Sequence, residues 1–168
     1  MFENYKKQYE QLWKMFIRPY RQIYYLFDLG PKSRILHGKF LKRHDIDIKN
    51  DRNQTLKCSY FEYFDSKSSY EARSDPDPYC WKPCLIYLHC NATSRIEALE
   101  LLPYLVEVNI HLFCFDFSGC GLSEGDYVSL GVFEAQDLRC VVEYMRKNFG
   151  IKHIGLTIFL SQGFLIGI

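Results

Sequence analysis

Three apolar runs constrain this chain more than anything else in it. They are Cys84-Leu85-Ile86-Tyr87-Leu88-His89, Ile110 to Phe117 and His153 to Leu160. Each is too short for a typical helix and too continuous for a half-solvated strand, the pattern of a strand buried on both faces of a parallel sheet. Between the first two, Ile96, Leu99, Leu102 and Leu105 recur at helical spacing within Arg95 to Val106. Between the second and third, Leu138, Val141, Val142 and Met145 do the same within Val132 to Asn148. Alternation of this kind implies a parallel sheet with right-handed crossovers, an α/β architecture.

Upstream the periodicity changes. Lys39 to Ile48 ends in alternation of polar and apolar residues, and Thr55 to Phe64 alternates again. The polar stretch from Lys49 to Gln54, with Asn50-Asp51-Arg52-Asn53 at its centre, is a turn signal, so the two form a β-hairpin. Within it His44 reads as a surface strand residue, and His37 just before it has no evident partner. Asp65 to Pro83, rich in Ser, Asp and Pro, reads as a surface loop. From Phe2 to Tyr20 the large apolar residues recur at helical spacing, with Glu3, Lys6, Lys7, Glu10 and Lys14 mainly on the other side. A helix packed on the following domain is preferred to one lying on a membrane, because its lysines and glutamates are too evenly mixed for a basic membrane-binding face. The chain divides into an aromatic helical lead over 1–36 and an α/β domain over 37–168, with 65–83 as the loop.

Composition narrows the function classes. The 168 residues suffice for one domain of ordinary size, and 48% hydrophobic with 24% charged is the balance of a soluble globular protein. A net charge of +1 gives no field to recruit nucleic acid. No apolar run reaches the roughly 18 residues a membrane-spanning helix needs. No secretory signal pattern opens the chain. The seven cysteines are odd in number, and several sit inside apolar strand or helix patterns. Their spacing gives one C-x-x-x-C, Cys80 with Cys84, and no second pair, so neither a zinc site nor a cofactor is expected. Reduced thiols in a cytoplasmic protein are the reading.

Three motifs then fall at the ends of the three buried strands. His89-Cys90-Asn91 follows the first, Asp116-x-x-Gly119-x-Gly121-x-Ser123 the second, and Phe159-Leu160-Ser161-Gln162-Gly163 the third. With these, and with Ile17-Arg18-Pro19 and Asp28-Leu29-Gly30-Pro31 ahead of them, the chain resembles an α/β-hydrolase of the serine aminopeptidase-like (S33-type) and thioesterase-like group. The resemblance implies an α/β-hydrolase-type, mostly parallel sheet flanked by helices. It implies hydrolysis of acyl ester, thioester or small peptide substrates. It implies Ser161 as nucleophile, an oxyanion hole donated by backbone N–H groups near Asn91 or Ala92 and at Gln162, and an Asp and a His later in the chain. Asp116, Gly119, Gly121 and Ser123 would build a scaffold turn, and His89 would be structural. His111 and His153, at strand starts, read as ordinary boundary residues.

Departures from the family pattern shape the remaining expectations. Cys90 stands where the family has glycine, and Phe159 stands two residues before Ser161, where the strained elbow needs glycine. Counting from Ile154-Gly155-Leu156 puts the nucleophile at position 160, which is Leu. No Asp or His follows Ser161 in the sequence. The expectation is an incomplete copy, truncated after the strand leading to the elbow and inactive in this form. Its open apolar strand edge would drive self-association. The alternative is a non-catalytic interaction module using that edge and the aromatic lead. A nucleotide-binding domain is excluded because Cys90 to Ser94, after the first parallel strand, contains no glycine.

Overall fold

The computed structural model of the chain describes Tyr5, Ile17 and residues 21–72, 82–91, 93–160 and 163–167. Its frame is a seven-stranded sheet in the order β1-β2-β3-β5-β4-β6-β7. The strands are β1 (Ser33–Leu36), β2 (Lys39–Lys49), β3 (Thr55–Phe64), β4 (Cys84–Leu88), β5 (His111–Phe115), β6 (Ile154–Leu160) and β7 (Gly163–Gly167). Helices α1 (Lys67–Glu71), α2 (Leu102–Glu107) and α3 (Val132–Phe149), with 3-10 turns at Leu26–Leu29 and Arg95–Leu101, complete the described elements.

The three apolar runs are the parallel strands. β4 lies between β5 and β6, with Ile86 opposite Phe113 on one side and Leu156 on the other. Residues alternate between two cores, as the period of a strand requires. Ile86, Phe113 and Phe115 pack with Val141 and Met145 of α3 on one face. Tyr87, Leu112 and Cys114 pack with Ala98, Leu102 and Val106 on the other. Each fully buried Leu, Ile, Val, Met or Phe among them contributes about 1.5–3 kcal/mol relative to exposure. The sheet is mixed rather than mostly parallel. The other four pairings, β1–β2, β2–β3, β3–β5 and β6–β7, are antiparallel.

The expected hairpin forms over the full length of β2 and β3, from Phe40 opposite Phe64 to Lys49 opposite Thr55. At its tip Asn53 adopts a positive φ of 59°. β1 is an addition. His37 and Gly38 both have positive φ, 48° and 76°, and form a two-residue turn that pairs Leu36 with Lys39. His37 also gains a partner, its Nδ1 lying 2.8 Å from the Glu107 carboxylate. Arg95 to Val106 is not one α-helix. It begins as a 3-10 turn and becomes α-helical at Leu102, with Pro103 in the first helical turn, where a missing N–H costs nothing. The 65–83 loop contains α1, capped by the Ser66 hydroxyl accepting from the Ser69 N–H at 3.1 Å. Residues 73–81 lie outside the described residues.

Two expectations concern the chain's flanks. The helix over Phe2 to Tyr20 lies outside the described residues except for Tyr5 and Ile17, both helical. The flank of β6, expected to stay open, is paired antiparallel by β7 from Leu156 opposite Gly167 to Leu160 opposite Gly163. The six described cysteines are free thiols; Cys90 is exposed, while Cys58, Cys84, Cys114 and Cys120 are buried. Burial pushes the Cys114 thiol up to about 12 and the Cys120 thiol to about 11. Among the described residues no helix is long and apolar enough to cross a membrane.

Candidate active site

Because β4, β5 and β6 are parallel, their carboxyl ends lie side by side, and in open α/β sheets ligands bind outside those ends. The segments leaving them are the loop 89–94, the turn 116–125 and residues 161–162. His89 joins the first two. Its Nδ1 lies 2.7 Å from the Cys90 carbonyl and its Nε2 accepts the Phe117 N–H at 3.0 Å. That pattern fixes a neutral ring with the proton on Nδ1. Burial lowers the pKa accordingly, against an opposing contribution from the Cys90 carbonyl. An imidazole in this state has no lone pair left to take a serine proton.

Asp116 organises the turn after β5. Its fully buried carboxylate accepts the Arg95 N–H at 2.8 Å, the Leu122 N–H at 2.9 Å and the Tyr24 hydroxyl at 2.5 Å. The Arg95 guanidinium stands 3.8 Å away. The glycines of the turn are required by space as much as by conformation. Gly121 has φ +46°, and a Cβ there would lie 2.3 Å from Asp116 Cγ. At Gly119, with φ +83°, a Cβ would lie 2.6 Å from the Tyr127 carbonyl oxygen. Ser123 ties the turn to the sheet. Its hydroxyl donates to the Asp116 carbonyl at 2.6 Å and accepts the Lys57 N–H at 2.9 Å.

A second buried carboxylate holds the same turn from the other side. Asp137 of α3 accepts the Ser118 N–H at 2.9 Å, the Asn50 amide at 2.8 Å and an Arg52 N–H at 2.6 Å. Arg52 also donates to the Ser118 hydroxyl at 2.8 Å and stacks 4.2 Å above the Phe133 ring. The start of α3 is fixed by Glu134, which accepts N–H bonds from Ser129 and Gly131 at 3.0 and 2.7 Å and the Ser129 hydroxyl at 2.7 Å.

The segment ahead of the sheet also reaches this end. Arg21 donates to the Gly119 and Gly125 carbonyls at 3.2 and 2.5 Å. The Gln22 side-chain oxygen accepts the Ser94 hydroxyl at 2.8 Å, and the Ile17 carbonyl accepts the Val128 N–H at 2.8 Å. Tyr24 is buried among these contacts, while Ile23, Tyr25, Leu26 and Phe27 point outward and are exposed.

His89, Asp116, Gly119, Gly121 and Ser123 therefore meet in one cluster. Asn91 is exposed in the loop above it, its carbonyl accepting the Cys120 thiol at 3.7 Å. Ala92, Ser161 and Gln162 lie outside the described residues. After β6 the next described element is strand β7, not a helix. Sequence reasoning missed Tyr24, Arg95 and the Asn50–Arg52–Asp137 group. Asp137 carried a legible signal, since it lies four residues from both Phe133 and Val141 and so on the apolar face of α3.

The other histidines are committed elsewhere. His44 pairs with Glu62 at 2.8 Å and is half-buried. His111, at the start of β5 as expected, is buried and bonded to the Tyr60 hydroxyl at 2.6 Å. His111 opens β5 and His153 precedes β6, so both sit at the amino ends of the parallel strands.

No protein-family model and no curated protein matches the chain. Solved structures do. The esterase Pf2001 of Pyrococcus furiosus, in two crystal forms, is similar at 21% identity with TM-scores of 0.59 and 0.60. The match covers 84–85% of this chain and 46–48% of the esterase. The hypothetical protein PA2218 of Pseudomonas aeruginosa is similar at 13% identity over 80% of this chain and 40% of its own, with a TM-score of 0.55. The chain thus spans about half the length of the esterase it matches. Its mixed sheet, flanking helices and the loops at the strands' carboxyl ends make this an α/β-hydrolase fold.

Proposed function

We propose that the chain is the front half of a serine hydrolase of the serine aminopeptidase-like group. In its complete form the enzyme cleaves acyl ester, thioester or small peptide bonds in the cytoplasm without a cofactor. The observation that carries the reading is the double tie between the loop after β4 and the turn after β5, through His89 to the Phe117 N–H and through Asp116 to the Arg95 N–H. On this reading the tie keeps the loop that carries Asn91 in place, so that the backbone donors the resemblance implies there are set before an acyl oxyanion forms. One such donor is worth about 3–4 kcal/mol of barrier.

The same reading assigns residues 1–168 no turnover of their own. A serine hydroxyl needs a base and a group to orient it. His89 has both nitrogens engaged, the other four histidines are paired or placed as described, and no Asp or His follows Ser161. We infer that the complete enzyme takes its base from another segment. A fluorophosphonate probe tests this. The 168-residue chain stays unlabelled, whereas a transcript continuing past β6 into Gly-x-Ser-x-Gly and a later Asp and His yields a labelled protein. Labelling of the 168-residue chain that disappears in Ser161→Ala overturns the reading. A second reading, a non-catalytic interaction module, draws on the exposed Ile23, Tyr25, Leu26 and Phe27. A monodisperse monomer in size-exclusion chromatography counts against its self-associating form.

A further inference from the structure

We propose that residues 21–29 are a strap that belongs to the active-site scaffold, with Tyr24 as the positioning residue that locks the loop after β4 to the turn after β5. The inference rests on the proposed hydrolase site for its chemical meaning, but its structural content stands on the described contacts alone.

The Tyr24 hydroxyl bridges two charged groups. It accepts from Arg95 Nε at 2.6 Å and donates to Asp116 Oδ2 at 2.5 Å. The two charged groups are themselves 3.8 Å apart, at the limit of a direct ion pair. The phenol is therefore inserted between a guanidinium and a carboxylate that are almost wholly buried, with side-chain exposures of 2% and 0%. A buried pair at that separation is poorly compensated for its lost hydration unless further hydrogen bonds complete it. Tyr24 supplies one to each partner. Burial, reinforced by the neighbouring Asp116 charge, drives its pKa upward, so the hydroxyl stays protonated and keeps donating.

Each partner belongs to a different segment of the site. Arg95 opens the 3-10 turn after the 89–94 loop, and Asp116 opens the turn after β5. Tyr24 comes from neither, lying 71 and 92 residues away in sequence. Arg95 extends the link into the sheet by donating to the Ser59 hydroxyl of β3 at 3.2 Å. Just ahead of this point the strap is pinned to both segments, by Gln22 to Ser94 and by Arg21 to Gly119 and Gly125. Its inward contacts thus fall on the segments that would flank a substrate. A peripheral leader would not need a buried ionic bridge, and one that merely packed against the domain would be held by apolar contacts.

Hydrogen–deuterium exchange of the full 168-residue chain, compared with Tyr24→Phe and Arg21→Ala, tests the strap. The phenyl ring keeps the packing and deletes only the bridge. The expected result for Tyr24→Phe is exchange at least tenfold faster in peptides covering 89–94 and 116–125, with β3 and β5 unchanged, because the opening is local. Adding Asp116→Asn to Tyr24→Phe is expected to give less than the sum of the two effects, since both act on one network. Unchanged exchange in both loops, or a rise only in step with β3 and β5, overturns the proposal. Should Tyr24→Phe fail to fold, the surface variant Arg21→Ala decides. Faster exchange in 116–125 alone supports the strap, and no change there overturns it. The readout needs no catalysis, so loops that respond to Tyr24→Phe in a chain whose fluorophosphonate labelling is lost in Ser161→Ala would keep this inference while overturning the reading of the proposed site.

Discussion

Replacing Gly121 with alanine sets a steric argument against a conformational one. The new Cβ would stand 2.3 Å from Asp116 Cγ and 2.5 Å from both carboxylate oxygens. Real atoms do not approach so closely, and the carboxylate cannot swing aside without giving up bonds to the Arg95 N–H, the Leu122 N–H and the Tyr24 hydroxyl. Alanine at φ +46° costs about 1 kcal/mol in backbone strain. Losing two bonds to a buried carboxylate adds about 3 kcal/mol at the low end of such penalties. The sum, about 4 kcal/mol, approaches the whole stability of a marginal domain. Gly38 provides the control, with φ +76° but nothing within 4 Å of where a methyl would stand. Gly38→Ala should cost only the strain, about 1 kcal/mol. In urea, with a slope of about 2 kcal/mol per molar, the midpoints should fall by about 2 M and about 0.5 M respectively. Equal shifts for the two variants at unchanged slope would refute the claim that Asp116 occupies the space Gly121 leaves open.

Asp137→Ala should cost about 3 kcal/mol, because it strands the Arg52 guanidinium, the Asn50 amide and the Ser118 N–H together. A loss below about 1 kcal/mol in equilibrium unfolding would contradict the role given to that carboxylate. His89 makes stability depend on pH with a definite sign. Burial lowers its folded pKa from an unfolded value of 6.5. As pH falls through that value the unfolded chain takes up a proton that the folded chain refuses. Stability therefore declines on acidification, by at most about 1.4 kcal/mol per pH unit, and levels off below the folded value. Glu134, lowered by its Ser129 and Gly131 bonds despite burial, adds a loss of the same sign in the lower carboxylate range. His89→Gln should flatten the decline that begins as pH falls through 6.5 while leaving the loss in the lower carboxylate range. An identical slope in both proteins would show that the ring does not titrate as its contacts require.

The parallel strands were legible because double-sided burial leaves an unbroken apolar run, and the β2–β3 hairpin because one polar turn separates two alternating segments. The site's scaffold was legible to the extent that glycines mark it, at 119 and 121. What carried no local signal was the set of partners. Arg95 reads as an ordinary residue at a helix start, and Tyr24 as one aromatic among many in the lead, until folding brings them across 71 residues to the same carboxylate. Burial of charge is a tertiary property, visible in sequence only where a charge interrupts an apolar face, as Asp137 does on α3. The split of Arg95 to Val106 into a 3-10 turn and a helix follows from Pro103, and the extra strand β1 from the His37-Gly38 turn. Both signals were present in the sequence, but each was weaker than the pattern around it.

The order of strands in space also imposes a schedule on synthesis. β2 and β3 pair across a short turn and can close within microseconds once both have emerged. β3, whose residues from Cys58 to Tyr63 are all buried in the finished sheet, has β5 as its other neighbour. Fifty-one residues separate the end of β3 at Phe64 from the end of β5 at Phe115 (115 − 64). At roughly 5–20 residues per second, a ribosome needs about 3–10 s to supply them. Throughout that interval the nascent chain carries a preformed hairpin with an unsatisfied aromatic edge, a target for chaperones and a template for misplaced strands. The interval is set by the distance along the chain between two strands that end as neighbours, and stabilising the finished fold would not shorten it.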